Sequence, residues 1–262
     1  MDPGKYGYQS DRFRDYFLSS QAHNTVTVDG ISPSRTSEQA YGSAISLAPT
    51  NLSGYWIVIG EVKNKEQSFT HTRALIYRPG DVLYVIDSVK SLEEQLPSRQ
   101  VRIAWHFDES YHITKRSEHE LIGYSETSSP LKVQTNSQAG EITTNVVKGL
   151  NEDGELLGWV SHDYLSYEPT TAVTIDGTLT TENMFLTSFH LSECDSAPLV
   201  ELKNNSLTIH DAQILNVIQI ALADSDSQNV RSPETGHRKQ RRSESLLSTA
   251  LSKSLQTLRK LI

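Results

Sequence analysis

The sequence holds one cysteine, Cys194, so no internal disulfide can staple the fold. Glu193 and Asp195 flank it, and nearby carboxylates oppose a thiolate, which argues against a nucleophilic role. A lone cysteine leaves the compartment open, since exported proteins can also lack disulfides. No run approaches the ~20 apolar residues of a membrane span. Basic residues are in deficit: 24 Lys and Arg stand against 32 Asp and Glu, a net charge of −8. That argues against a general nucleic-acid binder, because phosphate neutralisation needs a basic surface. There is no phosphate loop, no Gly-rich dinucleotide turn and no Gly-x-Ser-x-Gly elbow. The N-terminus has no basic-then-apolar signal sequence. Met1 runs directly into Asp2-Pro3-Gly4, which reads as the interior of a domain. Away from the termini there is no long amphipathic helix, and there is no internal repeat.

What the sequence does have is short alternating or apolar runs with turn residues between them. The 262 residues suffice for one large β domain or two small ones. Strands are expected at Thr25–Val28, Tyr55–Val62, Thr70–Tyr77, Val82–Val89, Val101–Phe107 and Tyr111–Lys115. More are expected at Leu131–Thr135, Glu141–Val147, Ala172–Ile175, Asn183–Phe189, Leu199–Leu202, Ser206–Ile209 and Ile214–Ala221. Arg78-Pro79-Gly80-Asp81 marks the clearest hairpin. Asn151-Glu152-Asp153-Gly154, Asp176-Gly177 and Asn204-Asn205 read as further turns. The expected fold is mainly β, a large two-sheet antiparallel sandwich over residues 1–223. Residues 224–262 form a polar and basic tail: His237 to Arg242 is a basic run, and Leu247, Leu251, Leu255, Leu258 and Ile262 follow a helical stripe.

Asp2, His23, His71 and His106 are the candidates for metal chemistry, because imidazole nitrogen and carboxylate oxygen are zinc donors. None of them stands in a close His-x-His or His-x-x-x-His pair. For each histidine, the bland reading, a hydrogen-bonded core or surface side chain, is the favoured one. His71 shares a strand face with Arg73, and His106 follows Trp105 in an apolar strand. His23 and Asn24 open the Thr25–Val28 strand, where neither is needed for β-structure. Tyr6, Tyr8 and Tyr16 lie among Arg12 and Arg14. Rings and guanidinium groups suit anionic sugar chains, through stacking and pairing with carboxylate or sulfate. On residue types alone, a solvated loop is the better explanation.

The stretch DPGKYGYQSDRFRDYFLSSQAHNTVTVDG closely resembles the heparinase II/III-like polysaccharide lyases. The shared pattern is Asp2-Pro3-Gly4, Tyr6 or Tyr8, Arg14-Asp15-Tyr16-Phe17, and Ala22 to Gly30. His71-Thr72-Arg73 and the "VIDSV" strand, Val85 to Val89, look like the family too. The resemblance is good to about residue 110. It implies a β-sandwich that follows a helical toroid, and β-elimination on an acidic, uronate-containing polysaccharide. It implies periplasmic or secreted, bacterial enzymes. By resemblance Asp2 and His23 are structural zinc ligands, and Tyr6, Tyr8, Arg12, Arg14 and Asn24 are substrate-binding candidates, with Asn24 also bracing the local backbone. The family's toroid, with its catalytic Tyr and His, and its His-x-His strand have no counterpart here, so the zinc site is expected to be incomplete and no catalytic residue is assigned. A non-catalytic carbohydrate-binding or interaction sandwich, or a truncated gene product, are the alternatives.

Overall fold

A computed structural model of the chain describes residues 1–32, 41–52, 54–93, 97–126, 128–152, 154–191, 199–203, 206–211 and 216–221. In chain order the elements are α1 (Arg12–Leu18), β1 (Val26–Val28), β2 (Tyr41–Leu52), β3 (Tyr55–Asn64), β4 (Phe69–Arg78), β5 (Val82–Ser91) and β6 (Arg99–His106). Then come β7 (His112–Ser117), β8 (Glu120–Tyr124), β9 (Leu131–Ser137), β10 (Thr143–Lys148), β11 (Leu150–Glu152), β12 (Glu155–Leu157), β13 (Trp159–Val160) and β14 (Glu168–Pro169). The series ends with β15 (Thr171–Leu179), β16 (Glu182–His190), β17 (Leu199–Lys203), β18 (Ser206–Asp211) and β19 (Asn216–Ala221).

Two sheets dominate. One has eight strands in the order β2-β3-β4-β5-β16-β9-β8-β7, and the other has four in the order β1-β6-β15-β10. Their strands pair antiparallel throughout. The main core joins them, with Val85, Val89, Ile103, Trp105, Val173 and Phe185 buried together. Side chains alternate across a strand, so the even-numbered residues of β5 point the other way. Val82, Tyr84 and Ile86 are buried there with Tyr55, Ile57 and Ile76 in a second cluster. This is why Val82 to Asp87 is buried without a break and reads as a continuous apolar run. The β4–β5 hairpin turns on Pro79 and on Gly80 at φ 77, with Asp81 N–H donating to the Arg78 carbonyl at 3.2 Å.

Asp176-Gly177 corrects the expectation of a turn. Both residues lie inside β15, Asp176 opposite Arg102 and Gly177 opposite Val101. A Cβ on Gly177 would sit 2.7 Å from Cε1 of Phe185, so the glycine makes room for a core ring. The expected tail and its leucine stripe, residues 224–262, lie outside the described residues, as do Asn204 and Asn205.

The N-terminal segment is held against the sandwich by a third cluster. Asp11 caps α1, its Oδ1 accepting the Arg14 N–H at 2.8 Å. Phe13, Tyr16 and Phe17 follow at helical spacing and bury one face against Tyr6, Leu156 and Trp159. β1 then pairs with β6, Val26 opposite Ile103 and Val28 opposite Val101. That register sets His23 and Asn24 beside the end of β6, where His106 stands.

Candidate functional site

Asn24 is bound to β6 through its side chain. Its Oδ1 accepts the backbone N–H of His106 at 2.6 Å and lies 3.3 Å from Nδ1 of the same residue. A backbone N–H can only donate, so the amide oxygen faces His106, and Nδ1 must carry the ring proton. Nε2 is then an acceptor, 3.5 Å from the Tyr16 hydroxyl. Burial above all pushes the His106 imidazole down to about 3, so it is neutral. Burial likewise pushes the Tyr16 hydroxyl up to about 12. The pair is enclosed, His106 at 1% exposure and Tyr16 at 5%.

The Asn24 carbonyl accepts from Nη1 of Arg73. Arg73 also makes a two-pronged bond to Asp87, Nε to Oδ1 at 2.6 Å and Nη2 to Oδ2 at 3.0 Å. His71 Nε2 donates to the same Oδ1 at 2.6 Å. Burial would raise the Asp87 pKa, but the Arg73 charge and the His71 hydrogen bond outweigh it and hold the carboxyl at about 2. The Arg73 guanidinium lies 5.1 Å from the Trp105 ring centroid. The chain of contacts from His71 to His106 therefore has partners at each charged step. Asp87 was not among the sequence candidates. Its signal was a lone carboxylate in the apolar run Val82–Val89.

Asp2 and His23 come together at the surface. Asp2 Oδ2 lies 3.5 Å from His23 Nδ1, with side-chain exposures of 78% and 39%. Asp2 Oδ1 accepts the Gly4 N–H at 3.0 Å, which turns the carboxylate toward His23. Two donors on one tetrahedral zinc stand roughly 3.3 Å apart, given metal–donor bonds of ~2.0 Å. The Asp2–His23 pair therefore fits two corners of such a site. Among the described residues no group of three or more His, Cys, Asp and Glu converges on one point. His71 and His106 point into the networks above.

The substrate candidates separate. Tyr6 is buried, stacked on Phe17 at 5.6 Å. Arg12 is exposed on α1. Tyr8 is 68% exposed, with Lys5 Nζ 4.2 Å and the Arg14 guanidinium 5.4 Å from its ring centroid. Lys5 donates to the Tyr8 hydroxyl, and that hydrogen bond lowers the tyrosine pKa. Arg14 also donates to the Gly7 carbonyl, which fixes it beside Tyr8.

The model of the family described as heparinase II/III-like, C-terminal, matches residues 1–240. The chain belongs to the heparinase II/III-like family. As such a C-terminal domain, it is similar in fold to a heparinase III, the BT4657 gene product, with TM-score 0.63 and 15% identity over 84% of this chain and 34% of that one. It is also similar to the heparan sulfate lyase HepC of Pedobacter heparinus, with TM-score 0.63 and 14% identity over 86% of this chain and 35% of the other. The heparinase-like chain thus spans about a third of the length of these solved structures. No curated protein sequence matches it. Among the described residues, no helix is long and apolar enough to cross a membrane.

Proposed function

We propose that this chain is the β-sandwich part of a bacterial, periplasmic or secreted polysaccharide lyase that cleaves acidic, uronate-containing polysaccharides by β-elimination. The family match over residues 1–240 carries this reading. In such a reaction a base removes the proton at C5 of the uronate, and an acid protonates the leaving glycosidic oxygen. General acid–base catalysis contributes about 10²–10⁴-fold, so both groups must stand at the scissile bond. The Tyr16–His106 pair has suitable residue types but is buried, and we assign neither role to it. A helical partner domain supplies the acid and the base. This chain supplies Tyr8, Arg12 and Arg14 toward the sugar chain. Asp2 and His23 would hold a zinc ion, whose positive charge would tie the start of the chain to the start of β1. Asn24 supports His23 by locking the adjacent backbone to His106 and Arg73.

The test is the absorbance of the unsaturated C4–C5 product over a panel of uronate polymers. The isolated chain should yield none, and the same chain joined to a family toroid should yield product. Turnover by the isolated chain, abolished by a point change within it, would overturn the division of labour. No product from the joined protein on any uronate polymer would overturn the lyase reading. A binding sandwich without catalysis is the second reading, favoured by the enclosure of Tyr16 and His106.

A further inference from the structure

The loop Ser161–Glu168 lies against the N-terminal segment and is fastened to it. The Ser161 N–H donates to the Pro3 carbonyl, and the Leu165 N–H to the Tyr6 carbonyl, both at 2.8 Å. A Cβ on Gly4 would lie 2.0 Å from the Ser161 carbonyl oxygen, so the two backbones touch where only glycine fits. Tyr167 stacks on Phe13 with centroids 3.8 Å apart. Leu165 holds a left-handed backbone at φ 58, which a side-chain-bearing residue adopts only when its surroundings impose it. Its side chain lies against Gly7, next to Tyr8.

This fastened pair of segments carries most of the exposed aromatic surface. Of the four exposed tyrosines among the described residues, three are here: Tyr8 at 68%, Tyr164 at 61% and Tyr167 at 41%. The fourth, Tyr124, ends β8. The Tyr8 and Tyr164 rings stand largely in water, while Tyr167 has one face stacked on Phe13 and the rest exposed. Lys5 and Arg14 bring positive charge over Tyr8. The nearby Asp11 carboxylate is turned inward, onto Arg14 N–H, Gln9 and Tyr6.

We propose that Tyr164 and Tyr167 of this loop join Tyr8, Lys5 and Arg14 in one binding face for an anionic sugar chain. The rings take the apolar faces of the sugars, and the two cations take a carboxylate or sulfate. This rests on the lyase reading for the class of ligand, and extends its contact surface to a segment some 150 residues away in sequence. A sugar lying on Tyr8 meets Leu165 beside Gly7, with Tyr164 next to it in the chain.

Titration calorimetry of the whole chain with a sulfated uronate oligosaccharide tests it, with the neutral sugar of the same length as reference. Tyr164→Ala and Tyr8→Ala should each weaken binding roughly 2- to 10-fold, the size of one ring contact. Tyr124→Ala should change nothing. Rising salt should weaken the sulfated ligand and not the neutral one. Unchanged melting of Tyr8→Ala and Tyr164→Ala would show that their folding is intact, whereas Tyr167→Ser also removes the stack on Phe13. Binding unaffected by Tyr164→Ala and Tyr167→Ser would overturn the loop's role, and so would equal loss in Tyr124→Ala. No binding of either sugar overturns the whole face. Product formation by the joined protein would then still stand or fall separately.

Discussion

Asp87 is 1% exposed and receives Arg73 through two bonds and His71 through a third, all within 3.0 Å. Asp2 is 78% exposed and meets His23 at 3.5 Å. Both places combine histidine with a carboxylate, and both were built from residues that looked alike in sequence. Their physics differs. At Asp87 both carboxylate oxygens already accept from Arg73 or His71, three hydrogen bonds in all, and the carboxyl itself is shielded from solvent. Such a cluster locks β4, β5 and the Asn24 backbone together, and the Arg73 guanidinium paired with the carboxylate opposes a second cation there. At Asp2 the pairing is loose, screened and open on its solvent side. A site that must take up a ligand needs that spare capacity.

The contrast predicts its largest effect at Asp87. Asp87→Ala leaves Arg73 and His71 without their anion in a closed space. Breaking a buried pair on one side costs about 3–5 kcal/mol, because the remaining charge, on an Arg73 side chain only 20% exposed, is poorly rehydrated. Denaturant unfolding should therefore show a large drop in midpoint at unchanged slope. A loss under 1 kcal/mol would mean that water reaches the cluster.

Acid should reveal the same cluster. The Asp87 carboxyl titrates at about 2 in the fold, against an ordinary value of 3.8. A depressed folded pKa means that its contribution is complete above the unfolded value and is lost as pH falls toward the folded one. The window is therefore between about pH 4 and pH 2, and the contribution is about 2 kcal/mol. Urea midpoints measured across that window should fall in the native chain. Asp87→Asn should flatten that part of the curve.

The sandwich was legible because its central strands are apolar and bounded by turns. The expected Tyr55–Val62 became β3, Tyr55–Asn64, and the hairpin around Pro79-Gly80 formed as expected. The strand Tyr41–Leu52 was not legible. It is an edge strand with Pro49 and two register shifts, so it lacks the alternation that a two-sided neighbour enforces. Asp176-Gly177 misled because a Gly that clears a space for Phe185 has the same letters as a turn. At the candidate site the sequence marked His23, Asn24, His71, Arg73 and His106. It could not say which would be enclosed, since enclosure comes from β4, β5 and β6 meeting across the sheets. Tyr164 and Tyr167 had no motif at all.

Asn24 joins the two regions and should show an intermediate effect. Asn24→Ala removes the acceptor of the His106 N–H and ring proton at the end of β6. The loss of one buried partner costs on the order of 1–2 kcal/mol. Asn24→Asp keeps an oxygen at that position and should restore part of it. Equal loss in both variants would mean that an acceptor oxygen at this position is not what Asn24 contributes to the end of β6.

The smallest effect on folding belongs to His23. Its contact with Asp2 is exposed, and such pairs contribute about 0–1 kcal/mol. His23→Ala in metal-free buffer should therefore leave the unfolding midpoint almost unchanged, in contrast with Asp87→Ala. Added zinc separates the two regions further. With two donors, the native chain should bind zinc weakly, since a structural site normally closes with four. Whatever stabilisation zinc brings should vanish in His23→Ala and Asp2→Ala, because only the folded pair presents both donors to one ion. It should survive in His71→Ala, whose ring faces Asp87. Elemental analysis after dialysis, alongside melting with and without zinc, reads both quantities. Tight stoichiometric zinc that persists in His23→Ala would move the metal elsewhere in the chain, and would remove the distinction drawn between an occupied buried cluster and an open surface pair.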